Sequence, residues 1–131
     1  MTPLIETAAA GWIAALLFLA VAALPLVLQR LHISSAAKVG VMRWHYTFAF
    51  AVVGIALVHA WLPMSARMMR GVEPTGLWLA TAALGVLFAQ LVLGVVLKSA
   101  GGRPVGIRRL HFALMTSALI LIAVHIVLNR A

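Results

Sequence analysis

Four of the five histidines in this 131-residue chain fall into two pairs of equal spacing. His45 and His59 are 14 positions apart, and so are His111 and His125. A neutral imidazole has one nitrogen lone pair to offer a transition metal. In a left-handed helical bundle with about 3.5 residues per turn, this interval is four whole turns, so each pair faces one seam. At about 1.5 Å per residue the members of a pair are roughly 21 Å apart along the axis. That sets one near each edge of a hydrocarbon core about 30 Å thick. On helices running in the same direction, equal spacing makes both cross-helix pairs level at once. His45 then faces His111, and His59 faces His125. Two neutral imidazoles pointing across an apolar interior are the donor set for axial ligation of haem iron. Two bis-histidine haem b groups are the expected cofactors, with these four histidines as the metal ligands.

Other uses of intramembrane histidine fit the pattern less well. A mononuclear zinc or copper site gathers its ligands at one depth, about 2 Å from the metal; these residues divide between two depths. A proton relay needs no matched intervals. A lone histidine is often a hydrogen-bonded packing residue, but ionisable groups in the bilayer are costly, and four at two equal intervals point to a site. His32 has no partner at a matching interval and reads as an interfacial residue. The chain has no cysteine, which excludes disulfides, iron–sulfur ligation, thiolate haem ligation and c-type haem attachment.

Charged residues recur beside the histidines. Arg43 precedes His45 by two positions and Arg109 precedes His111 by two, placing cations where haem propionates can pair with them. Arg67 and Arg70 are candidates for the same role at the other level, and all four also serve as topology signals. Gln90, the one uncharged amide deep in an apolar stretch, suits an interhelical hydrogen bond, a haem edge or a quinone. Gly11, Gly54, Gly85 and Gly94 are small enough to let a backbone approach a helix or a porphyrin closely. Val52 and Ala118, midway between the paired histidines, are expected to form a dry layer.

The elements that hold these residues are four apolar stretches, at about 8–28, 44–62, 76–97 and 110–128, each near the roughly 20 residues of a spanning helix. Pro25 lies near the end of the first, and the second is expected to stop at Pro63. With 65% hydrophobic residues and 9% charged, the chain has too little polar surface for a water-soluble domain of this length. The formal charge of +8 sits in clusters between the stretches, which argues for topology and against nucleic-acid binding. Short connections predict an all-α, up-down-up-down transmembrane four-helix bundle with two stacked haems, over 1–131 as a single domain. Arg30, Lys38, Arg43, Lys98, Arg103, Arg108 and Arg109 mark one side; Arg67, Arg70 and Arg130 mark the other, with Glu6 and Glu73. Both termini are therefore expected on the non-cytoplasmic side of a bacterial inner membrane. The N-terminus lacks a positive segment before its apolar stretch, so that stretch is expected to be retained.

The two histidine-bearing helices resemble one another. Arg43-Trp-His-Tyr through Val58-His-Ala-Trp-Leu parallels Arg109-Leu-His-Phe through Val124-His-Ile-Val-Leu, which suggests duplication of a two-helix unit. With these motifs the sequence resembles the dihaem b-type cytochromes, and in particular the N-terminal four-helix part of cytochrome b, over essentially the whole chain. The resemblance extends to the ferric-reductase-like and ascorbate-type transmembrane cytochromes, which likewise stack bis-histidine haems. The Pro-Glu-Trp-Tyr signature of a quinol-oxidation site is absent, those two families usually have six helices, and no Gly-x-Gly-x-x-Gly is present to hold flavin or nicotinamide.

The resemblance implies transmembrane electron transfer, with lipid around the chain, redox partner subunits, and quinone or quinol as a possible exchange partner. No catalytic residue is expected. A stand-alone oxidoreductase acting on quinone, ferric chelates or superoxide is the first alternative. A membrane anchor with structural haems is the second, and a histidine-based transporter the third.

Overall fold

The computed structural model describes residues 3–31, 35–65, 74–101 and 105–128. These form four helices in chain order: α1 (Pro3–Arg30), α2 (Ser35–Ser65), α3 (Pro74–Ser99) and α4 (Val105–Leu128). Among the described residues there is no strand. Each helix carries a segment of 24 or 25 residues that is long and apolar enough to cross a membrane. The helices are apolar all round, without the polar face of a surface helix in a soluble protein. At most 22% of any spanning window is buried within the chain. The remaining apolar surface therefore requires a non-aqueous solvent, which is the condition of an integral membrane protein.

All four expected stretches are helical, but the helices outrun them. α2 begins nine positions earlier than the apolar pattern suggests and continues two residues beyond Pro63. α4 starts at Val105, five positions before the apolar run. Hydropathy marks where hydrocarbon ends, whereas helical hydrogen bonding continues into the interface. Pro63 lies in the final turn of α2, where the missing N–H costs a single bond. Pro25 sits inside α1, five residues from its end, and α1 carries on around it.

Four hydroxyl side chains within the spans are satisfied locally. Thr47 donates to the Arg43 carbonyl (3.1 Å), Thr81 to Leu77 (3.0 Å), Thr116 to Phe112 (3.2 Å) and Ser117 to Ala113 (3.0 Å). Folding back onto the preceding turn spares each hydroxyl the cost of an unmade bond in lipid. At the end of α3, Gly101 adopts a left-handed backbone, with φ at 66°, as helix-terminating glycines do. Its N–H reaches the Lys98 carbonyl at 3.2 Å, and the Lys98 charge lies in the last turn, where the helix dipole favours it. All four tryptophans are exposed and lie within six residues of the end of a span, the depth that suits an amphipathic ring.

The chain divides into two compact units, Met1–His59 and Ala60–Ala131. In the first, His59 hydrogen-bonds Thr7, 52 positions away, so α2 returns antiparallel to α1. α1 buries Ala14, Phe18, Val21 and Leu28 along one stripe, the spacing of a heptad seam. In the second unit α3 packs against α4; Ala83 and Leu87 on α3 and Ala118 on α4 are buried.

Candidate functional site

The four spaced histidines are all half-buried, and three of them have ring nitrogens whose bonding is defined. In the first unit, His59 Nδ1 lies 2.8 Å from the Thr7 carbonyl oxygen. A carbonyl only accepts, so Nδ1 carries the proton and donates it, leaving the lone pair of the neutral ring on Nε2. The ring rests against Gly11, where an added Cβ would stand 2.8 Å from Cε1 and 3.0 Å from Nδ1. No larger residue fits beneath the imidazole as placed. Gly11 thus acts on the histidine.

The second unit repeats the arrangement on different helices. His125 Nδ1 lies 3.3 Å from the Gly76 carbonyl oxygen, again fixing the proton on Nδ1 and the lone pair on Nε2. Main-chain acceptors on Nδ1 are a common way to orient a metal-ligating histidine and raise its basicity. His111 is held by another device. The Gln90 amide nitrogen is 3.3 Å from His111 Nε2, and since an amide NH₂ only donates, Nε2 accepts. His111 Nδ1 and Gln90 Oε1 are both buried without a hydrogen-bond partner. Gly94, one turn beyond Gln90, would place a Cβ 3.5 Å from His111 Cε1, an ordinary contact distance.

The register along α3 and α4 is regular. From Gly76 to Gln90 is 14 residues, matching His125 to His111. Midway between them both helices bury an alanine, Ala83 and Ala118, the latter with 0% exposure. On α2 the corresponding midpoint, Val52, is 2% exposed. The apolar mid-seam positions expected from sequence, Val52 and Ala118, are thus the most buried described residues on their helices.

The repeat also extends to α1 and α3, which the sequence alone does not disclose. Thr7 and Gly76 supply the histidine acceptors, Ala14 and Ala83 are buried midway, and Phe18 and Leu87 are buried one turn on. Each pair is 69 positions apart. The residue types differ too much to align by eye; what recurs is a carbonyl and a packing role.

Other expected residues fall as follows. Arg43 and Arg109 are exposed on α2 and α4, two residues before His45 and His111. Gly54 and Gly85 have nothing within 4 Å of an added Cβ, so of the four glycines singled out from the sequence only Gly11 and Gly94 adjoin a histidine. Arg67, Arg70 and His32 lie outside the described residues. Among the described residues, no three His, Cys, Asp or Glu side chains gather as a metal cluster.

The residues fit haem on the chemistry of the donor set. Neutral imidazoles with Nδ1 protonated and Nε2 as the lone-pair nitrogen suit ligation of iron, and Gly11 keeps the space beside His59 small-sided. No protein-family model, curated protein or solved structure matches the chain.

Proposed function

We propose that the protein is a dihaem b-type membrane cytochrome that carries electrons across the bilayer. His45 with His111 would ligate one haem, and His59 with His125 the other, within an up-down-up-down bundle. The pairing rests on the equal spacing and on the common direction that short connections predict from sequence for the second and fourth helices. The observation that carries the proposal is the shared bonding of His59 and His125. Each is the second member of its pair, and each gives its Nδ1 proton to a main-chain carbonyl near the start of the preceding helix.

Haem iron supplies one-electron redox chemistry when bound. The chain's own residues have separate tasks. The four imidazoles bind and orient the metal. Thr7 and Gly76 hold two of them in the ligating tautomer through their carbonyls. Arg43 and Arg109 bring positive charge to propionates near the cytoplasmic ends of α2 and α4. Val52 and Ala118 keep water out of the interval between the two levels. Electrons are exchanged with a quinone pool or a redox partner subunit in a larger complex of the bacterial inner membrane, both termini lying outside the cytoplasm.

Protein purified from membranes should give a reduced-minus-oxidised spectrum of b-type haem with two haems per chain. One haem or none in cofactor-replete protein would overturn the proposal. His59→Ala and His125→Ala should each remove the same single haem and leave the other intact.

A further inference from the structure

The α3–α4 pair carries two of its cations on one flank. Its register is set by two bonds, His125 to Gly76 and Gln90 to His111. They run the helices antiparallel, with the buried Ala83 and Ala118 midway between them. At about 100° per residue, Lys98 lies roughly 60° around α3 from Ala83, and Arg108 roughly 80° around α4 from Ala118, in the same rotational sense. On antiparallel helices the same sense is the same flank. The two residues also share a depth, since Lys98 is in the last turn of α3 and Arg108 in the first turn of α4, each at the end of its span. We propose that Lys98 and Arg108 hold the phosphate of an anionic phospholipid whose acyl chains lie along the apolar flank beneath them. The inference uses the membrane character of the chain and is independent of haem.

The flank suits that ligand at both ends. Lys98 and Arg108 are exposed. The same angular count puts Leu91 and Val95 of α3 and Phe112 and Met115 of α4 on their side; Val95 and Phe112 are exposed, and Leu91 and Met115 half-buried. The opposite flank carries Leu97 and Leu110 at the depth of the cations and, among the described residues, no cation of its own. A topology signal needs only a side of the membrane, so it does not account for a choice of flank. A bound headgroup does. The chain's two acidic residues are Glu6 and Glu73, both remote in sequence from this end, and α4 has no acid in its first turn. Lysine and arginine stems lie on apolar surface while their heads reach the headgroup layer, where phosphate oxygens accept charge-assisted hydrogen bonds. A zwitterionic lipid brings its own ammonium to this cationic site, so the anionic one is preferred.

The test is native mass spectrometry of the full chain in mild detergent, with phosphatidylglycerol and phosphatidylcholine as competing lipids. Wild-type protein should retain phosphatidylglycerol in preference. Lys98→Gln and Arg108→Gln should each weaken that binding about fivefold, while Lys98→Arg and Arg108→Lys keep it within about twofold. Should a glutamine variant lose helicity, Lys98→Met or Arg108→Met replaces it. Arg30→Gln removes the same charge at the end of α1 and should leave retention as it was. Glycerol 3-phosphate, which has the phosphate without the chains, should not displace the lipid. Equal weakening by Arg30→Gln and Arg108→Gln would mean that surface charge in general attracts the lipid, and overturns the site. Equal retention of the two lipids by wild-type protein, or displacement by glycerol 3-phosphate, overturns it too. Each of these results leaves the dihaem proposal standing.

Discussion

His59 and Gly11 define the tightest relation in the site, and it makes a sharp prediction at the residue scale. Gly11→Ala puts a methyl 2.8 Å from Cε1 of the ring, so the imidazole must shift and its bond to Thr7 must lengthen or break. The expected cost is about 1–3 kcal/mol, typical of overpacking. It should appear as a lower melting temperature together with selective weakening of one of the two proposed haems. Gly94→Ala is the matched control, because its methyl would meet His111 at 3.5 Å; it should change neither stability nor haem content measurably. Equal effects of the two substitutions would mean that Gly11 does no more than pack. The histidines themselves were legible from spacing alone, since a 14-residue interval repeated on two helices is a pattern of side-chain identities. Their Nδ1 partners were not. Thr7 and Gly76 act through carbonyl oxygens, which every residue carries, so nothing in the letters at those positions announces the role.

The helices show what hydropathy does and does not encode. Four apolar runs specify four helices because a spanning backbone must satisfy its own hydrogen bonds. The ends are less legible, since Ser35 through Lys38 are helical ahead of the span that begins at Val39. The seam between α3 and α4 was half legible. Ala118 was expected at the midpoint, whereas its buried counterpart Ala83 follows only once Gly76 and Gln90 are known to meet His125 and His111. Ala118 has no exposed surface, so Ala118→Leu should push α4 off α3 and cost about 1–3 kcal/mol. A thermal melt in detergent reads this directly. Leu128→Ala, at the exposed end of α4, should be close to neutral. Reversal of that order would mean that the seam is not where the strain is felt.

For the molecule as a whole, the charge distribution predicts sidedness. Leu31 and Ala100 are exposed beyond the ends of α1 and α3, next to the two strongly basic connections, and Thr75 is exposed at the opposite end of α3. With no native cysteine, single replacements are clean probes. In sealed inside-out vesicles, Leu31→Cys and Ala100→Cys should react with a membrane-impermeant maleimide, and Thr75→Cys should react only after permeabilisation. The opposite pattern would invert the expected orientation and leave the haem proposal untouched. Fold class and membrane character were legible from composition and periodicity. The unlike treatment of His111 was not, because a glutamine in an apolar run has several possible partners and only the register of α3 on α4 selects one.

The use of main-chain carbonyls at Thr7 and Gly76 also bears on inheritance. A backbone oxygen cannot be deleted by a base change, so no single substitution at either position abolishes the acceptor, though one can displace it. The Gln90 amide has no such protection: one codon change removes it. Saturation mutagenesis read out by haem content should therefore find residues 7 and 76 tolerant wherever helix geometry survives. At residue 90, by contrast, a change of side chain removes the bond to His111 outright. The chain keeps part of its ligand geometry in its polymer, where selection has no letter to guard, and part in a single exchangeable side chain.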